Sequence, residues 1–498
     1  MGHVELVDET LRDGQQSLWG MRMQAGMALP VADTLDRTGF RIIDAAASSF
    51  MEVLVKYCRE DPWEGLDLLR GAIRRTPMRG GMRGNAAVSF GVTPDALMDL
   101  WMRRLNEHGV RSFWIYDVLY GVENFARLAR IAKEYDSEVV GTVFFSQSPI
   151  HTDDYLAARA AEIAAVKEID GLLFYDTAGV LDVERLHGLL PRILAVAGEK
   201  PVEFHSNNLM GTSGLAYVEA VRHGIRILHT ASRPMANGPS VPSTESVVRN
   251  LELLGHTHSI DRSLLQPVAD HFRRVGKAAG YLVDQVSEYD LFNVTHQVPG
   301  GMLGTLRAQL EQHGMTHRTE DVMAETGEVR RELGWPVMAT PLSQLVGTQA
   351  VLNVVTGERY SMVPDEVVAY AAGHYGEPPA PIDPDVLDRI MSSPRAAEIV
   401  ANPPEQPTLE ELRRRHGTGD DDLLILRALI PEPDILAMQA AGRVRRDYPL
   451  SSPEVQELCA PSRSARRPLE SRASSADSRA APDRPPASPG CPTPGSAP

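Results

Sequence analysis

The feature that most constrains this chain is a repeat of short apolar runs separated by segments of helix length. Eight of these runs are rich in branched and aromatic residues and have the length of a β-strand, the third being the weakest. This alternation is typical of βα units that build a parallel sheet. Eight units over about 250 residues match the size of a closed (β/α)8 barrel. The predicted strands are residues 4–7, 41–45, 77–83, 112–117, 139–145, 171–175, 202–205 and 226–230.

Polar side chains recur at the point where each predicted strand ends. In a (β/α)8 barrel these positions meet at one mouth, which is where such barrels bind ligands. Because they recur so regularly, we expect one site rather than scattered surface groups. The side chains are Arg12 with Asp13, Asp44, Arg83, Asp117, Ser146, Tyr175 with Asp176, His205 with Asn207, and His229.

The first strand end carries the densest group of polar residues. Residues 8–17 read DETLRDGQQS, which delivers Asp8, Arg12, Asp13 and Gln16 to one place. Carboxylate oxygens suit divalent cations, and a guanidinium group suits a developing enolate. A solvated polar loop is the alternative interpretation of the same residues.

Composition narrows the class of protein. The 498 residues allow two or three domains, and 66 acidic against 50 basic side chains give a net charge of -16. This charge disfavours nucleic acid and anionic membranes as partners and favours a small-molecule enzyme. The three cysteines, Cys58, Cys459 and Cys491, form neither a disulfide framework nor a zinc motif. With no signal peptide and no apolar run of membrane-spanning length, we expect a cytoplasmic protein.

Changes in pattern predict the domain organisation. Residues 1–261 are predicted to form the barrel, and residues 262–450 a second, mostly helical domain. Residues 451–498 are rich in Ser, Pro, Ala and Arg and are predicted to be a disordered tail. Residues 234–242 form a rigid polar loop, either a lid, a ligand clamp or a plain connection. The Pro-Gly-Gly at 299–301 predicts a turn where the backbone comes close to another segment.

Several motifs outside the strand pattern carry a family resemblance. They are DETLRDGQQS at residues 8–17, REDPWE at 59–64, QVPGGM at 297–302, LGWP at 333–336, TPLSQLVGTQAVLN at 340–353 and TGERY at 356–360. Together they resemble the biotin-dependent carboxyltransferases, which include subunits of transcarboxylase and oxaloacetate decarboxylase and a domain of pyruvate carboxylase. The resemblance extends from the N-terminus to about residue 446.

The resemblance implies a fold and a reaction. In these enzymes a helical domain closes over the barrel mouth, usually in a homodimer. A divalent metal (zinc, manganese, cobalt or magnesium) and an arginine bind pyruvate and stabilise its enolate. Carboxybiotin gives its carboxyl group to the enolate, or the reaction runs backwards from oxaloacetate. The chain lacks the Ala-Met-Lys-Met segment that accepts biotin. We therefore expect biotin in trans, on a biotin carboxyl carrier protein charged by a separate biotin carboxylase.

The resemblance also assigns roles to residues of this chain. Arg12 matches the arginine that stabilises the enolate, Asp13 a metal ligand, and Gln16 a glutamine that binds substrate. Arg83 matches the arginine that holds the substrate carboxylate. His205 matches the first histidine of a metal-binding His-x-His motif.

Other positions depart from the family pattern. Asn207 stands where the motif has its second histidine, and Tyr175 where the family has a carbamylated lysine. We therefore predict a weak or altered metal site formed by Asp13, His205 and Asn207. Tyr175, a poor ligand near neutral pH, is expected to have a core or hydrogen-bonding role. His229 either replaces a ligand or is simply hydrogen bonded.

One further departure concerns proton transfer. The family's proton-shuttling threonine aligns with Gly304, and Thr305 follows it by one position. Since a hydroxyl group both donates and accepts a hydrogen bond, Thr305 is the predicted replacement.

Three functions remain open from sequence. The first is carboxyl transfer to or from pyruvate or another 2-oxo acid. The second is a biotin-independent lyase or synthase of the same barrel superfamily, and the third is a non-catalytic homologue. The retained Arg12, Asp13, Gln16 and Arg83 disfavour the third, and the match beyond residue 297 favours the first.

Overall fold

Eight parallel strands close into a barrel, as the sequence predicts. The computed structural model describes residues 2–88, 91–300, 302, 310–311 and 314–450. The strands follow one another in chain order, and the first is hydrogen bonded to both the second and the eighth. The (β/α)8 prediction is therefore confirmed, including its weak third strand. The strands are β1 Glu5–Asp8, β2 Ile42–Ala47, β3 Met78–Arg83, β4 Val110–Tyr116, β5 Glu138–Phe144, β6 Gly171–Asp176, β7 Val202–Ser206 and β8 Ile227–Thr230.

Amphipathic helices cover the outside of the barrel. The helix after β4, for example, buries Phe125 and Leu128. Asp61 caps the helix Pro62–Ala72, which has Pro62 at its first position, where a missing N–H does no harm. The α-helices of this part of the chain are Gln15–Trp19, Ala25–Arg37, Ser48–Val53, Pro62–Ala72, Asp95–Glu107, Val122–Lys133, Asp153–Ala164, Val183–Ala197, Ser213–Arg222 and Thr244–Leu253.

The chain after β8 is mostly helical, again as predicted. The helix Leu265–Ala279 packs against the barrel helix Ala25–Arg37, and His271 Nε2 lies 2.7 Å from the Met27 carbonyl oxygen. The boundary between residues 261 and 262 stays a prediction, and the tail at 451–498 lies outside the described residues. The later helices are Phe292–His296, Thr319–Glu332, Leu342–Thr356, Asp365–Ala371, Pro384–Met391, Ala396–Ala401, Leu409–His416, Asp421–Leu429 and Glu432–Ala441.

Hydrogen bonds and a close backbone approach hold the helical part against the mouth of the barrel. The fully buried Arg330 donates to Ser146 Oγ at 2.7 Å and to the Gln147 carbonyl oxygen at 3.1 Å, both just after β5. Gln297 Oε1 accepts from the same Ser146 hydroxyl at 3.2 Å. At Gly300 a Cβ atom would lie 1.9 Å from Cβ of Pro239, so the predicted close approach of the Pro-Gly-Gly segment is present.

Hydropathy along the helices bears on the membrane prediction. In the described ranges, no helix combines the length and the apolar character needed to cross a bilayer.

Candidate active site

The barrel mouth and the helical part line a cleft of about 640 Å³, which is called the cavity below. Its barrel side includes Arg12, Asp13, Gln16, Tyr175 and Asn207, so five of the residues predicted from strand ends come together here. Aromatic side chains from β4 and β5 complete that side. The other side comes from the helical part and includes Pro299, Gly300, Met302, Ala339, Thr340, Ser343 and Gln344.

Arg12 is the centre of charge beside this cavity, although only 1% of its surface is exposed. Its Nη2 lies 2.6 Å from Glu9 Oε2, and its Nε donates to Asp44 Oδ2 at 3.3 Å. Its Nη1 donates to the Tyr175 hydroxyl at 3.4 Å. The guanidinium carbon lies 4.8 Å from the ring centroid of Trp114, which is a favourable cation–π distance. These contacts fix the guanidinium group at the edge of the cavity.

Three carboxyl groups lie beside Arg12, the third being Asp13, whose Oδ1 is 3.5 Å from Arg12 Nη1. Burial distinguishes the other two. Desolvation raises the pKa of Asp44 to about 8, the charge of Glu9 adds to the rise, and Arg12 opposes it. Desolvation also disfavours a charged Glu9, but Arg12 and two histidines hold its pKa well below the usual range. Of these two, Glu9 is therefore the anion paired with Arg12, while Asp44 is largely protonated at neutral pH.

Asn207 presents its amide nitrogen, not its oxygen, to Asp13. The nitrogen donates to both carboxylate oxygens of Asp13, at 3.2 and 3.1 Å, and to the Pro239 carbonyl oxygen at 2.8 Å. Turning the amide over would set its oxygen against three acceptors, so the network fixes this orientation. Asp13 also accepts from Ser240 Oγ at 2.9 Å and from the Val241 N–H at 3.2 Å. The loop at 234–242 therefore clamps Asp13 and Asn207.

Tyr175 lies over His205 on the cavity side. The two rings are 3.9 Å apart between centroids, and His205 is completely buried. Burial lowers the pKa of His205 to about 4, so its ring is neutral near pH 7. Burial also raises the pKa of the Tyr175 phenol far above its usual value, so the phenol keeps its proton. The hydrogen-bonding role predicted for Tyr175 is present in its contact with Arg12.

His229 takes part in a buried chain of charges beneath the cavity. Its Nδ1 lies 2.6 Å from Glu9 Oε1, and its Nε2 lies 2.8 Å from Glu203 Oε2. Burial disfavours the charged ring, but hydrogen bonds to Glu203 and Glu9 raise the pKa of His229. Glu203 is also paired with Arg79, whose Nη2 donates to Oε1 at 3.0 Å. His229 is thus hydrogen bonded, which is one of the two roles predicted for it.

The side chains at this site fit poorly to the divalent metal that the resemblance implies. Asp13 is surrounded by hydrogen-bond donors, and Asn207 contributes a donor where a ligand is needed. His205 Nε2 is buried without a hydrogen-bond partner in the described ranges, at 3.8 Å from Asp13 Oδ1. It is covered by Tyr175, which is a neutral phenol rather than a carbamylated lysine.

A second group, Glu9, His205 and His229, also brings three possible ligand atoms together. However, the 2.6 Å between His229 Nδ1 and Glu9 Oε1 is a hydrogen-bond distance. In a tetrahedral site, neighbouring ligands of an ion bound at about 2.1 Å lie about 3.4 Å apart. We therefore interpret this group as a hydrogen-bonded cluster.

Two predicted site residues that the structure describes, Arg83 and His205, are not among those that line the cavity. Arg83 is buried, and its Nε donates to the Tyr116 hydroxyl at 2.9 Å while its Nη1 donates to the Ala86 carbonyl oxygen at 3.2 Å. It reaches the cavity only through Tyr116, which lines it. Thr305, like Gly304, lies outside the described residues, so its role stays a prediction.

Several residues of the site were not singled out from sequence. Glu9 lies inside the first motif, and Trp114 and Tyr116 point inward on β4 at alternate positions, as the period of a strand requires. That period was the available signal, because inward-facing residues near a strand's carboxyl end face the mouth. Nothing local marks Ser240 or Glu203, whose partners are distant in sequence.

Comparisons with known proteins agree with this arrangement. A family model described as "Conserved carboxylase domain" matches residues 294–435. The chain is 34% identical over 438 residues to a pyruvate carboxylase subunit of Methanocaldococcus jannaschii, covering 86% of this chain and 76% of that protein. It is 31% identical to the 2-oxoglutarate carboxylase large subunit of Hydrogenobacter thermophilus, covering 86% of this chain and 67% of that protein.

A solved structure shares the fold. The carboxyl transferase domain of Rhizobium etli pyruvate carboxylase, with pyruvate, superimposes with a TM-score of 0.79 over 88% of this chain and 77% of that one, at 20% identity. At this identity the match concerns the architecture of barrel plus helical region alone. The sequence relatives show that the chain belongs to the family of biotin-dependent carboxyltransferases that includes the archaeal pyruvate carboxylase subunits.

Proposed function

We propose that this protein transfers a carboxyl group between carboxybiotin, carried on a separate protein, and pyruvate or a similar 2-oxo acid. One observation carries the proposal: the segment at 297–302 and the helix Leu342–Thr356 line the same cavity as Arg12 and Gln16. A lyase or synthase that only forms an enolate does not need a helical part that lines the cavity opposite the barrel. Carboxyl transfer needs it, because two reactants must meet in one water-poor space.

Arg12 and Gln16 are the residues that we propose to contact the 2-oxo acid. An enolate places negative charge on the oxygen of C2, and a fixed guanidinium group stabilises that charge without reorganisation. In the described part of the chain no carboxylate contacts Arg83, whose bonded neighbours are the neutral Tyr116 and Ala86. Its unneutralised charge supports the proposed attraction of the substrate carboxylate. A cavity of about 640 Å³ has room for a 2-oxo acid and a ureido ring together.

The proposed partners follow from the same reasoning. Both sequence relatives are named as subunits of carboxylases, which supports placing biotin carboxylase and the biotin carboxyl carrier protein on other chains. A homodimer remains a proposal based on the resemblance, as does a cytoplasmic location. A divalent metal belongs to the family's chemistry, but the donors near Asp13 fit it poorly, so no step here uses one. Thr305 is the proposed proton relay.

The test is decarboxylation of oxaloacetate to pyruvate by the purified protein, with and without free biotin. We expect biotin to stimulate turnover, because biotin accepts the carboxyl group. Arg12→Met should remove the stimulation, whereas Arg262→Lys, a conservative change at a surface salt bridge, should retain it. Turnover that ignores biotin in the wild-type protein would favour a lyase or synthase, and no turnover would favour a non-catalytic homologue. Replacing oxaloacetate by larger 2-oxo diacids then defines the acceptor.

A further inference from the structure

We propose that Tyr175 acts as a catalytic residue that donates a hydrogen bond to the enolate oxygen, so that Arg12 and Tyr175 form an oxyanion hole where relatives use a metal ion. This inference rests on the proposed function, since it concerns the enolate of the same 2-oxo acid. It assigns a chemical task to the position where the family pattern has a carbamylated lysine.

The first support is the geometry of the two donors. Arg12 Nη1 and the Tyr175 hydroxyl oxygen lie 3.4 Å apart, and both residues line the cavity. One oxygen atom can therefore sit at about 2.8 Å from both. The Tyr175 oxygen accepts from Arg12, and in the described ranges its O–H donates to no acceptor. A phenol proton is thus available beside a fixed cation.

The second support is that Tyr175 is held rigidly. Its ring lies against that of His205, tilted by 45° with 3.9 Å between centroids, and it packs against Trp114 and Phe144 at 6.1 and 5.6 Å. Only 6% of its surface is exposed. A donor that does not need to reorganise stabilises developing charge most effectively.

The third support is the hydrogen bonding of Asp13 and Asn207, the residues that would otherwise bind a metal. The Asn207 amide nitrogen sits 3.1 Å from Asp13 Oδ2 and 2.8 Å from the Pro239 carbonyl oxygen, so it links groups that a cation would link. Ser240 Oγ and the Val241 N–H bind the same carboxylate oxygen. Asp13 is therefore satisfied without an ion, which leaves the enolate charge to Arg12 and Tyr175.

The step can be written from oxaloacetate with its atoms in balance. The bond between C3 and the leaving carboxylate breaks, and carbon dioxide passes to biotin. The electron pair of that bond forms the C2=C3 double bond of the enolate, and the carbonyl pair moves to the oxygen on C2. Tyr175 O–H and Arg12 N–H donate hydrogen bonds to that oxygen. A proton, returned by biotin or water, then reaches C3 to give pyruvate.

Binding of oxalate, a planar dianion that resembles the enolate of pyruvate, tests this inference without biotin. Calorimetry would compare oxalate and pyruvate on the wild-type protein, with and without EDTA, and on Tyr175→Phe. Tyr281→Phe is the matched control, because Tyr281 lines the same cavity but packs on Trp19, with 5.3 Å between ring centroids, and forms no hydrogen bond with Arg12 in the described ranges. Elemental analysis of the same samples gives their zinc, manganese and cobalt content.

We expect wild-type protein to bind oxalate equally with and without EDTA. Tyr175→Phe should weaken oxalate binding about tenfold to a hundredfold, and pyruvate binding less, because hydrogen bonds to a charged oxygen are stronger. Tyr281→Phe should bind oxalate as wild type does. Oxalate binding that EDTA removes and zinc restores would overturn the inference, as would a folded Tyr175→Phe protein with wild-type oxalate affinity.

The experiment separates this inference from the proposed function. If Tyr175→Phe does not fold, the EDTA comparison on wild-type protein still decides for or against a metal-free oxyanion hole. Oxalate binding without metal but no biotin-stimulated turnover would contradict the proposed carboxyl transfer and leave the role of Tyr175 standing. Biotin-stimulated turnover that requires zinc would contradict the role of Tyr175 and leave the proposed carboxyl transfer standing.

Discussion

Replacing Arg12 should separate its structural role from its chemical one. In Arg12→Met a side chain of similar length loses the charge, while in Arg12→Lys the charge remains but the planar fork is lost. Removing one partner of a buried ion pair costs about 3–5 kcal/mol. Here Glu9 keeps His229 at 2.6 Å, and Asp44 keeps the Trp114 indole N–H at 2.8 Å. Asp44 is also largely protonated near pH 7, since burial raises its pKa to about 8.

These remaining contacts determine how much Arg12→Met should lower the free energy of unfolding. We expect Arg12→Met to lower the free energy of unfolding by about 3 kcal/mol, the lower end of that range. An ammonium group can still reach Glu9 but not Asp44 and Tyr175 as well, so Arg12→Lys should lose about 1.5 kcal/mol. The kcat of biotin-stimulated oxaloacetate decarboxylation should fall by about 10²–10³ in Arg12→Met, the effect of losing an oxyanion donor. Arg12→Lys should lose less.

Urea unfolding followed by tryptophan fluorescence and steady-state kinetics measure the two effects. Trp114, 4.8 Å from the guanidinium carbon, lies close enough to report the change directly. The reasoning would be refuted if Arg12→Met changed only KM, because Arg12 would then bind ground state and transition state equally. Equal losses of stability in both variants would also refute it, since the retained charge of lysine would then have no value.

Three further predictions follow from single contacts. Arg83→Ala should weaken pyruvate binding by about 1 kcal/mol in calorimetry, since the substrate carboxylate loses the attraction of a charge that lies behind Tyr116; an unchanged affinity would remove Arg83 from the substrate site. His108 contacts Asp422 of the helix Asp421–Leu429 at 3.1 Å, and although burial opposes it, hydrogen bonds to Asp422 and Asp67 raise the pKa of His108. The folded pKa therefore exceeds the unfolded value near 6.5. The stability it adds is complete below that value and is lost as pH rises through the folded pKa. Hydrogen exchange in that helix should thus accelerate from pH 6 to pH 9 more in wild type than in His108→Gln, and equal acceleration would contradict the linkage. Biotin-stimulated turnover should disappear in Thr305→Ala and persist in Gly304→Thr; if wild type shows no stimulation and Gly304→Thr restores none, carboxyl transfer itself should be abandoned.

The sequence alone determined the barrel and the composition of its mouth. Eight strand-length runs at regular spacing admit few other architectures, and the backbone of a parallel barrel carries every strand end to one side. The meeting of Arg12, Asp13, Tyr175, His205 and Asn207 therefore follows from periodicity, before any side chain is placed. The helical character of the chain after residue 262 was predictable in the same way, from local pattern.

Only the tertiary structure decided what these side chains do to one another. Asn207 is 194 residues from Asp13, and Ser240 is 227 residues from it, yet together they satisfy its carboxylate. Arg83 contacts Tyr116 instead of lining the cavity, and His229 lies between Glu9 and Glu203. The alternation along a strand determines which face each side chain points to. The rotamer and the protonation of that side chain depend on neighbours that folding brings together. A chain that keeps Arg12, Asp13 and His205 of its family's pattern can therefore still differ from it in whether an amide or an ion contacts the Asp13 carboxylate.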